Sequence, residues 1–205
     1  MQYKTFKPRP ELLLHPNIPK PLHEVNPRSI KGKEWWDVER KKAYASTNQH
    51  CAACGVSRHE AKLHKWLEAH EIYDIDYKKG TATLKEIVPL CHYCHSYIHN
   101  GYLNVRYSKN EISREHYQAI LSHGQALTRD LNRPKAPSAF APWASWRLIF
   151  DGKEYEPKFE NYDEWHYHYH GCYPREAYED LMDEEDEEED EVALGAGDED
   201  AAFGL

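Results

Sequence analysis

Hydrophobic and polar positions along the chain divide it into segments with different periods. From about Lys33 to Ser46, Trp35, Trp36, Val38, Ala43 and Tyr44 alternate with Lys and Arg in helical fashion, and Ser29 is a candidate cap for that helix. The simplest role for its tryptophan face is packing on the domain. Strand-like alternation follows from Trp66 to Tyr73 and from Thr81 to about Val88, with a turn at Lys79-Gly80. A short helix from Cys91 through Ile98 comes next, closed by Asn100-Gly101. Strand, strand and helix in this order make a ββα unit.

Ser113 opens a second helix in which Tyr117, Ile120, Leu121, Leu127 and Leu131 recur near i, i+3, i+4 spacing. It must end before Pro134, and Gly124 weakens its middle. The segment RLIFDGKEYEP then reads as a hairpin about Asp151-Gly152, a pair favoured in two-residue turns. NYDEWHYHYHG reads as an aromatic helix with Asn161 as N-cap and Gly171 at its C-terminal end.

Four regions result. Residues 1–30 form a Pro-rich extended arm that the triplet Leu12, Leu13, Leu14 can anchor. Residues 31–133 hold the ββα unit and its flanking helices. Residues 134–175, which open with a linker over 134–145, form an aromatic hairpin/helix appendage, and 176–205 an acidic tail. The fold class expected is α+β: a small core with flanking helices and a disordered tail.

Charge sharpens this division. The net charge of −9 is segregated, because residues from Glu176 onward include 15 acidic and no basic ones. The rest of the chain keeps all 26 Lys and Arg against 20 acids, a body of about +6. A mildly basic body suits nucleic acid. Lys31, Lys33, Arg40, Lys41, Lys42, Arg58, Lys62 and Lys65 are the candidates to grip a phosphate backbone, and a solvated helix face is the plainer reading of the same charges. The run Asp183–Glu191 repels itself and is expected to be disordered; it is also a candidate nucleic-acid mimic or protein-binding segment.

No stretch approaches the roughly 18 apolar residues of a membrane helix. MQYKTFKPRP has no apolar signal region, so the expected compartment is a reducing cytoplasm, where paired cysteines more often hold metal than disulfide. Cys51-Ala-Ala-Cys54-Gly and Cys91-His-Tyr-Cys94 are two such pairs, with residues 55–90 between them. Two-residue spacing turns both thiolates onto one tetrahedral ion, and the pairs together supply four ligands for structural Zn²⁺. Gly55 suits a knuckle turn that needs positive φ or a close backbone approach. A redox C-x-x-C accounts for one pair but not for two; Cys172 stands alone.

His95 and His99 are four apart on the short helix and share a face, and His70 on the first strand is placed to meet them. Imidazoles from a strand and a helix can hold a divalent cation beside a phosphate, where it stabilises developing charge. His92 reads as a surface residue.

Over roughly residues 48–102 the sequence resembles the HNH (ββα-metal) nucleases with zinc knuckles. LEAHEIYDID with LCHYCHSYIHNG is similar to a variant subgroup in which His-Glu replaces His-His. The resemblance implies a metal-dependent endonuclease acting on DNA, with Mg²⁺ or another divalent cation. In it His70 is the first metal ligand, Glu71 stands at the general-base histidine, and Glu86 stands where asparagine is common. His95 is the metal-binding histidine after the last cysteine, and His99 assists.

Three roles stay open for Glu71: base, metal ligand or its support, and a non-catalytic group. Strand alternation puts Glu68 and His70 on one face and Glu71 on the other, so a bulge would be needed to join them. Beside the nuclease stand two further readings: a zinc-stabilised module that binds nucleic acid without cutting, and an inhibitory factor acting through the acidic tail.

Overall fold

The structure, a computed structural model, describes residues 6–174. The acidic tail and its expected disorder, and the first residues of the arm, lie outside them. Residues 6–158 form one unit; residues 159–174 belong to a second.

In the first unit a four-stranded sheet runs in the order β1-β2-β3-β4. β1 (Glu68–Asp76) and β2 (Thr81–Leu90) pair antiparallel, from Glu68 opposite Leu90 to Asp76 opposite Thr81. The register slips once. Ile72 faces Glu86 while Tyr73 faces Leu84, which leaves Lys85 unpaired on β2. β3 (Arg147–Phe150) joins β2 in parallel, and β4 (Lys153–Tyr155) closes the hairpin through Asp151 and Gly152, both at positive φ (54° and 69°). The hairpin read in sequence as part of an appendage therefore completes the central sheet.

The helices are α1 (Pro27–Ser46), α2 (His92–Ile98), α3 (Asn100–Ser108) and α4 (Arg114–Thr128). α1 starts earlier than expected: Asn26 is its cap, Ser29 closes a capping box with it, and the helical path breaks at Gly32 (φ 83°) before continuing. Asn100-Gly101 does not end the chain's helical course; α2 ends at Ile98, His99 leaves the helical conformation (ψ 45°), and α3 begins at Asn100. α4 begins, as expected, with Ser113 accepting the His116 N–H. Its Gly124 has a positive reason: a Cβ there would lie 2.2 Å from the Tyr97 ring, so α2 and α4 pack closely only without one.

Two apolar clusters hold the sheet. On one side Leu12 and Leu13 of the arm pack with Ile72, Val88, Leu90, Ile98 and three of the paired cysteines. On the other, Leu22, Tyr73, Ala82, Trp146, Leu148 and Phe150 gather with Ile30 and Trp35. Trp35 meets Phe150 edge-on at 5.3 Å, so the tryptophan face of α1 does pack on the domain. Each leucine the arm buries contributes about 1.5–3 kcal/mol, which is what orders a Pro-rich segment with little secondary structure of its own. The arm also covers the free edge of β1, where the Tyr73 N–H donates to His15 Nε2 at 3.0 Å.

In the second unit α5 (Tyr162–His170) runs from its cap Asn161, which accepts the Glu164 N–H, to Gly171 in the left-handed conformation (φ 77°), as the sequence indicates. No helix among the described residues is long and apolar enough to cross a membrane.

Candidate metal centres

The first centre is built from two turns. At Cys51–Gly55 the Gly55 N–H donates to the Cys51 carbonyl and the Cys51 N–H to that of Val56, each at 2.9 Å. Gly55 has φ 79°, and a Cβ on it would stand 2.6 Å from Pro8, so both reasons for glycine hold here. Cys91 ends the sheet and caps α2, which brings Cys94 round to the same point.

The four sulfurs form one group, with Cys54 Sγ 3.8 Å from Cys91 Sγ. Thiolates at about 2.3 Å from a tetrahedral Zn²⁺ stand about 3.8 Å apart, so the donor set fits the ion. Charge agrees. Hydrogen bonds from Cys54, Cys91 and Cys94 pull the Cys51 thiol down, while its thiol neighbours push Cys91 and Cys94 up. The Cys54 thiol is lowered as well, so the group divides into two thiols that ionise readily and two that do so less readily without a cation. His123 Nε2 lies 3.4 Å from Cys94 Sγ as an outer partner.

The second centre brings together His70, His95 and His99, with one ring nitrogen of each within 4.8 Å of the others. His70 Nδ1 is 3.2 Å from His99 Nε2. Two imidazole ligands at about 2.0–2.1 Å from one tetrahedral ion come to nearly that separation. Buried His70 also keeps an Nε2 with no hydrogen-bond partner among the described residues. Burial, followed by the neighbouring His99, His95 and His15, pushes His70 down to about 2; burial and His95 push His99 down to about 4. Both rings are therefore neutral at physiological pH, the form that binds metal.

His95 is held from behind. Its Nδ1 lies 2.8 Å from Glu68 Oε2, and His92 Nδ1 lies 3.1 Å from Glu68 Oε1. Burial alone would push the Glu68 carboxyl up, but the hydrogen bonds from His92 and His95 outweigh it and hold the group well below its usual range. A carboxylate behind a ligating histidine fixes the ring and its tautomer. His92, expected at the surface, is buried in this contact. The signal for Glu68 was present in its i, i+2 relation to His70 on one strand face.

Half-buried Glu71 lines a cavity with His70, His99, Tyr73 and arm residues His15–Ile18, at the free edge of β1. No bulge joins Glu71 to His70, since the register slip comes later, between Ile72 and Tyr73. Both nevertheless line the same cavity. Burial raises the Glu71 carboxyl above its ordinary value. Glu86 is elsewhere: Arg9 grips both its oxygens, at 2.8 and 3.0 Å, and ties the arm to β2.

The basic candidates do not form one free patch. Lys31 pairs with Asp151, Lys33 and Arg40 with Asp37, and Lys42 with Glu39. Arg58 donates to Gln49, Lys62 lies 5.6 Å from the centre of the Tyr93 ring, Lys65 donates to the Ala61 carbonyl, and Lys41 is exposed.

No protein-family model matches the chain, and no curated protein or solved structure matches it.

Proposed function

We propose that the protein is a divalent-metal-dependent endonuclease of the HNH type that hydrolyses phosphodiester bonds in DNA. The observation that carries this reading is the meeting of His70, His95 and His99 around one point, beside Glu71 and with Glu68 behind His95. The Cys51, Cys54, Cys91, Cys94 group holds structural zinc, which fixes the end of β2 against the start of α2 and so positions two of the three imidazoles. Reduced thiols of this kind suit a cytoplasmic protein.

His70, His95 and His99 would hold the second ion. When bound, that ion supplies positive charge to the scissile phosphate and the leaving oxygen. Three imidazoles suit Zn²⁺ or Ni²⁺ better than Mg²⁺, which prefers oxygen ligands.

The protein's own groups do the rest. Glu71 accepts a proton from the attacking water; burial raises its basicity toward the working pH. The cavity it lines has room for several waters. Glu68 holds the His95 ring aligned through its contact with Nδ1. Lys41, Arg58, Lys62 and Lys65 contribute phosphate contacts, and Lys31, Lys33, Arg40 and Lys42 exchange their carboxylate partners for phosphates on binding.

Cleavage of supercoiled plasmid in Mg²⁺, Mn²⁺, Ni²⁺ or Zn²⁺, beside a His95→Ala control, tests this. Nicking by the wild type alone supports it. No nicking in any metal, with salt-sensitive binding retained, selects the second reading, a nucleic-acid-binding module that does not cut. One observation favours that alternative: Glu86, at the position of the family's asparagine, is occupied by Arg9.

A further inference from the structure

Next to the imidazole triad lies a third group of metal-ligating side chains, two of which, His64 and His92, the proposed reaction does not use. We propose that His64, Glu68 and His92, with His116 at the rim, form a separate site for a transition-metal ion of the Zn²⁺ class.

Three parts of the chain converge here: the loop before β1 supplies His64, the first residue of β1 is Glu68, and the first residue of α2 is His92. One ligand atom from each lies within 4.8 Å of the other two. His92 Nδ1 is 3.1 Å from Glu68 Oε1, a spacing that serves two ligands of one ion as well as a hydrogen bond.

Each ring is held by something other than the metal, which is how built sites orient their ligands. His92 Nε2 lies 3.4 Å from Ser96 Oγ, one helical turn away. Entry of a cation replaces the Nδ1 proton that His92 shares with Glu68, while Nε2 keeps its contact with Ser96. His64 stacks on Trp66 with ring centres 4.0 Å apart and planes 11° from parallel, and stands edge-on to His92 at 4.8 Å.

His116 borders the group: its ring lies 5.5 Å from that of His92, and its buried Nε2 has no hydrogen-bond partner among the described residues. It is not among the side chains whose ligand atoms lie within 4.8 Å of one another, so it is a neighbour of the proposed ion and not one of its ligands.

Imidazole ligands with one carboxylate and no thiolate select Zn²⁺, Co²⁺, Ni²⁺ or Cu²⁺ over Mg²⁺ and Ca²⁺. The second oxygen of Glu68 is on His95 Nδ1, so this site touches the triad through a single carboxylate. The site does not depend on whether the triad cuts DNA.

The test is a count of zinc ions retained by the full chain after equilibration with excess Zn²⁺ and gel filtration, for wild type, His64→Ala and His99→Ala. His64 sits half-buried in a loop, so its replacement leaves both apolar clusters intact. The expected result is three ions in the wild type and two in each variant. Equal zinc in His64→Ala and wild type overturns the proposed site, whatever His99→Ala shows. Loss of one ion in His64→Ala with none lost in His99→Ala upholds the site and removes the triad as a cation centre. A Co²⁺ visible spectrum that changes in His64→Ala but keeps its thiolate bands confirms that the lost ion was not the one on the cysteines.

Discussion

Glu68 Oε2 lies 2.8 Å from His95 Nδ1, and this contact decides which nitrogen of His95 is free to bind a ligand. With Nδ1 engaged by a carboxylate, Nε2 is left beside His70 and His99. Glu68 is itself fixed, because its other oxygen takes His92.

Replacing Glu68 with Gln keeps the shape and removes the charge. Divalent-cation affinity of the triad should fall by about 10–100-fold, and cleavage with it. Calorimetric titration with Mn²⁺ measures this; an unchanged affinity would show that His95 is oriented by other groups.

The neutral imidazoles make stability depend on pH in a definite direction. His99 is held at about 4 and His70 at about 2, both starting from 6.5. Between those values the unfolded chain binds more protons than the folded one, so the stabilisation is fully present above 6.5 and is lost as pH falls through this window. Urea midpoints without added cation should therefore drop from about pH 7 to about pH 5, and drop less in His99→Gln. Equal drops would contradict the assignment.

Glu71 has the opposite sign. Burial lifts its carboxyl above the ordinary 4.5, so the unfolded chain loses its proton first, and stability declines as pH rises through that interval. Near neutral pH, Glu71→Gln should stabilise the protein by about 1 kcal/mol. The same change should slow cleavage by about 100-fold or more if Glu71 takes the proton from water. Stabilisation with undiminished cleavage would leave Glu71 no role as the base.

Gly124 is a packing position. A Cβ there meets the Tyr97 ring at 2.2 Å, so Gly124→Ala sets a helix-propensity gain of up to about 1 kcal/mol against overpacking of about 1–3 kcal/mol. Net destabilisation is expected in thermal melts. The alanine should cost less when Tyr97→Ala is also present, and a double-mutant cycle measures that coupling.

Three of the four paired cysteines belong to the core that holds Leu12, Leu13, Val88, Leu90 and Ile98. Removing zinc with a strong chelator, or replacing Cys54 with Ser, should abolish the near-ultraviolet circular dichroism of the packed aromatics. A retained signal after verified zinc loss would mean that the knuckle folds without its ion.

Much of this was legible because its determinants are local. C-x-x-C spacing, the Asp-Gly turn and the Asn161 and Gly171 caps each depend on a few adjacent residues, and each appears in the structure. The parallel pairing of β3 with β2 joins distant stretches and leaves no periodic trace. Arg9 on Glu86 was hidden for the same reason. Among 14 histidines, only tertiary burial separates His92 and His64 from surface ones. The strand face shared by Glu68 and His70 was visible, but its meaning depends on where α2 lies.

The most direct test of the cation centre at His70, His95 and His99 is anomalous scattering from crystals grown with excess zinc, with data collected on both sides of the zinc absorption edge. The prediction is a zinc peak among Cys51, Cys54, Cys91 and Cys94, and another within bonding distance of all three imidazoles. A zinc peak at the cysteines with none among His70, His95 and His99 would contradict it, and the ββα unit would then be a zinc-held scaffold.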